Sequence, residues 1–319
     1  MTGQKENEAV CKDCGKVFQT ERQLHAHIKV HKLRVVEYYQ KHFPRHDLHD
    51  KKIIKYKTKE QYFSTDFNSR TNLRLWLKGE DSDKSINYCK NLLLKRKEKK
   101  GLIYTPTQVE LRTILSPPIQ YLHEVFGNYY SYCEDIGFEN KYQFPTKIVE
   151  GKEYGKPQYS IHVDTREQLP LKWDDYRTQS MTLPVGDYTF SEPRLTCNCY
   201  VERKSLADFI STLSVRNFDR FEKEIIRAKE MEANLIILVE DTLSNATKFK
   251  YLPYISKKIK VTPEYIFHNV RYLIQKYPHI QFLFAKGRKE SKRVIEKIFF
   301  SGCSYTKIDL QLAYDLKIL

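Results

Sequence analysis

The sequence holds no apolar run long enough to cross a bilayer as a helix. Its opening residues, Met1 to Glu6, contain no apolar segment of the kind a secretory signal carries. The chain is therefore expected inside the cell: cytoplasm or nucleoid in a bacterium or phage, nucleus in a eukaryote. A disulfide pattern is missing too. The seven cysteines are odd in number and scattered, which fits a reducing compartment where clustered cysteines bind metal rather than each other. Acidic charge is short: 40 Asp and Glu stand against 55 Lys and Arg, a formal net charge of +15. That excess argues for a polyanionic partner, DNA first, although a Lys-rich proteome gives the same excess. Aromatics are plentiful at 13%, with 23 Tyr, enough for cores and for surfaces on which bases stack. At 319 residues the chain is expected to form more than one domain.

The chemistry concentrates around Gly186-Asp187-Tyr188 and Val201-Glu202-Arg203-Lys204-Ser205-Leu206-Ala207-Asp208. Val201 to Lys204 reads as the end of a strand, and alternate side chains on a strand share a face. Glu202 and Lys204 then point one way and Arg203 the other. Asp187 opens a second strand-like run, so a hairpin brings two carboxylates and one ammonium to one sheet edge. Carboxylates hold a hard cation such as magnesium. Such a cation polarises phosphate and activates water, while a lysine stabilises the charge that builds up. A solvated surface hairpin has the same pattern. Against that stand two more apolar strands nearby, Ile161 to Asp164 ending in acids through Glu167, and Leu235 to Val239.

The blocks "VDTRE", "VGDYTF" and "VERKSLADF" resemble the XPF-type structure-specific nuclease domain, whose signature is GD…ERK-x3-D. The resemblance spans roughly residues 158 to 302. It implies a restriction-endonuclease-like α/β core that cuts DNA with magnesium or manganese. It also implies Asp187 and Glu202 as central metal ligands with Asp164 as a third, Lys204 as the catalytic lysine, Glu167 and Arg203 as supports, and Asp208 as the last acid. Ser205 and Asp208 also fit a helix cap, so Asp208 serves either the helix or the chemistry. Members of the family usually continue into a helix-hairpin-helix tail that pairs subunits. Only 303–319 remain here, which leaves homodimerisation through the nuclease domain an open expectation.

Cys11-x2-Cys14-x12-His27-x3-His31 has the ligand spacing of zinc. Phe18 and Leu24 stand where the small core needs them, and so small a unit does not fold without metal. Residues 9–32 resemble the conventional two-cysteine, two-histidine finger. Counting from a helix start at Thr20 or Glu21, Gln19, Arg22, Gln23 and His25 are the candidates for reading bases. One finger covers only about three base pairs, so a protein-contacting or structural role stays open.

Residues 33–60 read as a basic linker or polar helix, in which His42, His46 and His49 lack the companions of a metal site. Residues 61–140 read as a helical DNA-binding module. One helix would carry Leu73, Leu75, Trp76 and Leu77. Another would carry Ile86, Cys89, Leu92 and Leu93, ending in the basic run Lys95 to Lys100 before Gly101. Lys95, Arg96 and Lys97 are its DNA-contact candidates. Thr105 before Pro106 marks the next start, and Pro117-Pro118 and Gly137 bound two more helices. A helical spacer has the same look. The block Tyr104–Leu111, Pro117-Pro118 and Phe126–Phe138 resembles the helical repeat that accompanies phage homing endonucleases, but lacks a tryptophan after Phe126-Gly127.

Residues 141–157 have linker composition. Within 158–302, strands alternate with helices, as in a mixed-sheet α/β fold. A helix over 215–231 carries the stripe Phe218, Phe221, Ile225 and Ala228, with Arg216, Arg220 and Lys223 off it and free for phosphate. A basic loop runs from Lys248 to Lys260. Cys197 and Cys199 lack further ligands for a second metal. The tail 303–319 closes the chain. The expected architecture is thus multidomain: a ββα zinc finger, a small all-α middle module and a C-terminal α/β nuclease core. The expected function is a metal-dependent DNA endonuclease of the homing, mobile-element or phage type. The alternatives are a repair or recombination nuclease on flaps or junctions, and a non-catalytic DNA-binding regulator.

Overall fold

The computed structural model describes residues 9–46, 53–64, 82–114, 116–146, 160–174, 176–191, 198–256, 258–301 and 304–319. The helix expected over Leu73 to Leu77, and the residues His49 and Cys197, lie outside these. The chain divides into two compact units, Met1–Gly79 with Ser244–Tyr265, and Glu80–Leu243 with Ile266–Leu319.

In the first unit, β1 (Ala9–Val10) and β2 (Val17–Phe18) form a two-stranded antiparallel ribbon. Helix α1 (Glu21–His27) follows, continued by a 3₁₀ turn over Ile28–His31. Thr20 caps α1 in a capping box with Gln23, which satisfies backbone donors that a short helix leaves exposed. The stretch after the finger is not a plain linker. It forms α2 (Val35–His42), with Val36, Tyr38 and Tyr39 buried against the finger's Leu24 and Ile28. Helix α3 (Lys59–Ser64) adds Tyr62 to the same core.

The second unit holds α4 (Ser82–Lys100), α5 (Gln108–Arg112), α6 (Ile119–Phe126) and α7 (Tyr129–Asp135). Their core is built from Cys89, Leu93, Leu111, Ile119, Leu122 and Tyr129. Thr107, not Thr105, caps α5, because its hydroxyl and Glu110 close a capping box. The strands are β3 (Ser160–Asp164), β4 (Arg177–Met181), β5 (Tyr188–Ser191), β6 (Cys199–Lys204), β7 (Asn234–Val239) and β8 (Ile280–Phe284). They make one mixed sheet in the order β4-β3-β5-β6-β7-β8. β3, β5 and β6 run antiparallel in turn, and β6, β7 and β8 run parallel. β4 escapes sequence reading because all five of its residues are exposed and show no alternation.

The helices that follow β6 are α8 (Leu206–Thr212), α9 (Phe218–Glu230), α10 (Leu243–Ala246), α11 (Pro263–Lys276), α12 (Gly287–Phe299) and α13 (Leu310–Asp315). Val294, Ile295, Ile298 and Phe299 of α12 share a core with Ile161, Val201, Ile236 and Leu238. Phe209 of α8 and Phe267 of α11 meet Phe284 of β8. β7 is buried from Leu235 to Val239, as expected of a central parallel strand covered on both faces.

The closing residues correct the expectation of a tail. Leu310, Leu312 and Ala313 of α13 are fully buried. Asp309 caps that helix and also accepts the Gln108 amide at 2.6 Å. Arg112 pairs with Asp315 at 2.8 Å. Arg271 donates to the Thr113 carbonyl, and Gln275 to the buried Glu110. The helical segment is thus packed into the same unit as the sheet and is not a separate bead.

Candidate functional site

The site is built on the β5–β6 pair, where Tyr188 stands opposite Val201. Gly186 makes the approach feasible. Its φ is +66°, and a Cβ there would sit 3.0 Å from the Val201 carbonyl oxygen. The following amide, that of Asp187, donates to the same oxygen at 2.8 Å. Strand β3 joins through the Asp164 amide, which donates to the Asp187 carbonyl at 2.8 Å.

Asp187 accepts the Arg203 amide at 2.7 Å through one carboxylate oxygen. On the same strand as Arg203, Lys204 Nζ donates to Glu202 Oε1 at 2.6 Å, and the two side chains are only 12% and 13% exposed. Burial and the Glu202 charge raise the Asp187 carboxyl to about 8. Burial also raises Glu202; Lys204 opposes that shift, and Glu224 and Glu167 reinforce it. For Lys204, burial alone would favour loss of the proton, but Glu202 and Glu224 outweigh it and raise its pKa. Two half-buried acids that repel each other beside one ammonium form a donor set suited to a hard divalent cation.

Arg203 points to the other side, as strand alternation requires. Its guanidinium bridges Glu167 at 3.0 Å and Glu240 at 2.8 Å and donates to the Leu169 carbonyl. Asp164 is engaged differently from Asp187 and Glu202. Both its oxygens accept from Arg166, and Oδ2 also accepts the Leu183 amide at 2.7 Å. Burial works against ionisation of Asp164, but these donors outweigh it and lower its pKa. Asp208 is exposed, and its carboxylate accepts from the Ser205 hydroxyl at 2.6 Å while its amide donates to that oxygen. Its carboxylate thus orients the Ser205 hydroxyl that caps α8.

Sequence reasoning missed Glu240 and Glu224. Glu240 directly follows the buried strand β7, so an acid at a strand tip was its signal. Glu224 lies on α9, three residues after Phe221, whose ring is 5.3 Å from Lys204 Nζ. Its only signal was an acid flanking an apolar stripe, a weak one because such acids are usually solvated.

The finger residues gather as their spacing predicts. The ligand atoms of Cys11, Cys14, His27 and His31 all lie within 4.8 Å of one another. Cys14 Sγ is 3.2 Å from His27 Nε2, and Cys11 Sγ is 3.4 Å from His31 Nε2. Two thiols and two imidazoles converging on one point suit zinc. Desolvation and the neighbouring His31 lower the His27 pKa, which favours the neutral imidazole a metal needs.

The proposed DNA-contact residues divide. Gln19, Arg22, Lys95, Arg216 and Arg220 are exposed. Gln23 is exposed too, and its side chain accepts the Gln19 and Thr20 amides. His25 lies 3.0 Å from the Tyr39 hydroxyl. Arg96 and Lys97 are half-buried rather than fully exposed as the basic run suggested. Burial lowers the Arg96 pKa, and Lys97 donates to the Ile136 carbonyl at 2.6 Å. Lys97 thus reaches the C-terminal end of α7, while Arg96 feels the charge of Glu110.

The sheet, with acids gathered at the β5–β6 edge, has the α/β form of a nuclease core. Residues 163–298 match the family model described as the ERCC4 domain. Among solved structures, the chain is similar to XPF from Aeropyrum pernix in complex with DNA, at 23% identity and a TM-score of 0.32. That match covers 43% of this chain and 61% of that chain. No curated protein matches the chain. Among the described residues, no helix is long and apolar enough to cross a membrane.

Proposed function

We propose that the protein is a divalent-metal-dependent DNA endonuclease. The observation that carries this reading is the half-buried pair Asp187 and Glu202, both raised in pKa, with Lys204 bonded to Glu202 at 2.6 Å. Asp187 and Glu202 would hold a magnesium or manganese ion, whose chemistry is to polarise the phosphate and activate water. Lys204 holds positive charge where the phosphate gathers negative charge. Arg203, clamped between Glu167 and Glu240, fixes the strand end. The Arg203 amide holds one Asp187 oxygen, so the carboxylate does not rotate freely.

Cys11, Cys14, His27 and His31 would hold zinc and order the finger, which presents Gln19 and Arg22 to DNA. Branched DNA is the favoured substrate. A single finger reads about three base pairs, too few to specify a long duplex site, and the matched motif belongs to the structure-specific type. The test is cleavage with magnesium of linear duplex, flap, splayed-arm and four-way junction DNA, with a random-library duplex in parallel. Wild type is compared with Glu202→Gln. Cutting confined to branched forms is expected. Cutting at one duplex sequence would instead make it a homing-type enzyme. Tight binding with no cutting would leave a DNA-binding regulator.

A further inference from the structure

The basic loop between β7 and α11 has no part in the chemistry above. Residues 244–263 include five lysines and no acid. These residues belong to the finger-containing unit. Lys248 is buried there, with its ammonium over the Phe63 ring at 5.3 Å. Arg45, 2% exposed, lies over the Tyr251 ring at 5.3 Å. These interactions fix the loop. It forms one wall of a cleft of about 600 Å³, whose other wall includes Lys12 and Phe43. Lys250 and Lys258 are exposed at the cleft, and Phe43, Pro253, Tyr254 and Ile259 are half-buried in it.

We propose that this cleft binds a single strand of DNA, such as the unpaired arm of a branched substrate. The lysines supply the charge that a phosphate backbone needs, and the aromatic and apolar lining supplies surfaces for unpaired bases. A duplex hides its base faces and would use only the lysines. An acidic peptide would use the same lysines but brings no planar group to the Tyr254 ring, whereas Phe43 already carries the Lys12 ammonium over its ring at 3.9 Å. Lys12 stands between Cys11 and Cys14, and its amide donates to the Tyr38 hydroxyl at 2.7 Å. The cleft is therefore tied to the order of the finger knuckle. The proposal rests on the DNA-nuclease reading only for the origin of the strand.

Binding is measured on the full chain carrying Glu202→Gln, by fluorescence anisotropy with labelled oligo(dT) and with a blunt duplex, over a range of salt. Lys250→Ala with Lys258→Ala should weaken oligo(dT) at least tenfold. It should also lower the slope of log affinity against log salt by about 1.4, at roughly 0.7 for each single-strand phosphate that no longer meets a lysine. Tyr254→Leu should weaken oligo(dT) severalfold and leave the duplex unchanged. Unchanged oligo(dT) affinity in both variants would overturn the proposal. So would equal losses for strand and duplex in Tyr254→Leu, or poly-glutamate displacing oligo(dT) at lower concentration than unlabelled oligo(dT) does. A wild type that cuts while these variants bind normally sinks the cleft and leaves the nuclease reading intact. Weakened strand binding in a protein that never cuts does the reverse.

Discussion

At the scale of single residues, the protonation of Asp187 dominates. Its carboxyl is raised from 3.8 to about 8, so the folded, unloaded protein holds this proton more tightly than the unfolded chain does. The stability contributed is complete below about pH 4 and is lost as pH rises toward 8. Without divalent metal, the melting temperature should therefore fall across that window, and Asp187→Asn should flatten the fall; an identical profile in the two proteins would refute it. Magnesium should reverse the trend, because its binding expels the same protons. Asp187→Asn should also lower cleavage by about 10²-fold or more, in line with the loss of one preorganised electrostatic group, while DNA affinity stays similar or rises. Glu224→Gln removes a charge felt by both Glu202 and Lys204. It should raise the magnesium concentration needed for half-maximal cutting with little change in melting temperature, and an unaltered magnesium titration would remove Glu224 from the site.

At the scale of elements, the β5–β6 hairpin depends on a backbone conformation and on a clamped cation. Gly186 at φ +66° has the Val201 carbonyl where a Cβ would go. Gly186→Ala should cost about 1–3 kcal/mol, the usual range for a strained backbone, read as a shift in the urea midpoint. Arg203 is 10% exposed between Glu167 and Glu240. Arg203→Leu would leave two nearly buried carboxylates unpaired, at a cost of about 3–5 kcal/mol. A destabilisation below about 1 kcal/mol, the range of exposed pairs, would show that solvent reaches those acids freely.

At the scale of the whole molecule, elements distant in sequence close each unit. Leu310, Leu312 and Ala313 are buried, and Asp309 holds the Gln108 amide. Ending the chain at residue 308 should therefore destabilise the helical segment and the sheet together, seen as one lowered transition rather than two. Chelating zinc, or Cys14→Ser, should loosen the finger-containing unit and change DNA affinity or the cleavage map. Metal-dependent nicking at high DNA concentration should survive, and its loss would mean the two metal sites are not separate.

The local pattern was enough to recognise the finger spacing, the alternation that puts Glu202 and Lys204 on one face, the apolar strand β7 and the α9 stripe, because each is written in residues close in sequence. Gly101, Gly127 and Gly137 likewise mark helix ends as glycines with positive φ. Position on a face is local, but partnership is not. Arg96 and Lys97 read as solvent-facing charge until the fold packs their helix. The last residues read as a tail until Leu312 meets the helical core. Glu224 reads as a solvated acid until Phe221, one turn earlier, is laid against Lys204. Spacing and alternation marked Asp187, Glu202 and Lys204 as the candidates for the chemistry, but gave no comparable sign of Glu224 or Glu240. Which acids share one half-buried edge came from packing, since burial and charge repulsion arise between residues that the chain alone leaves far apart.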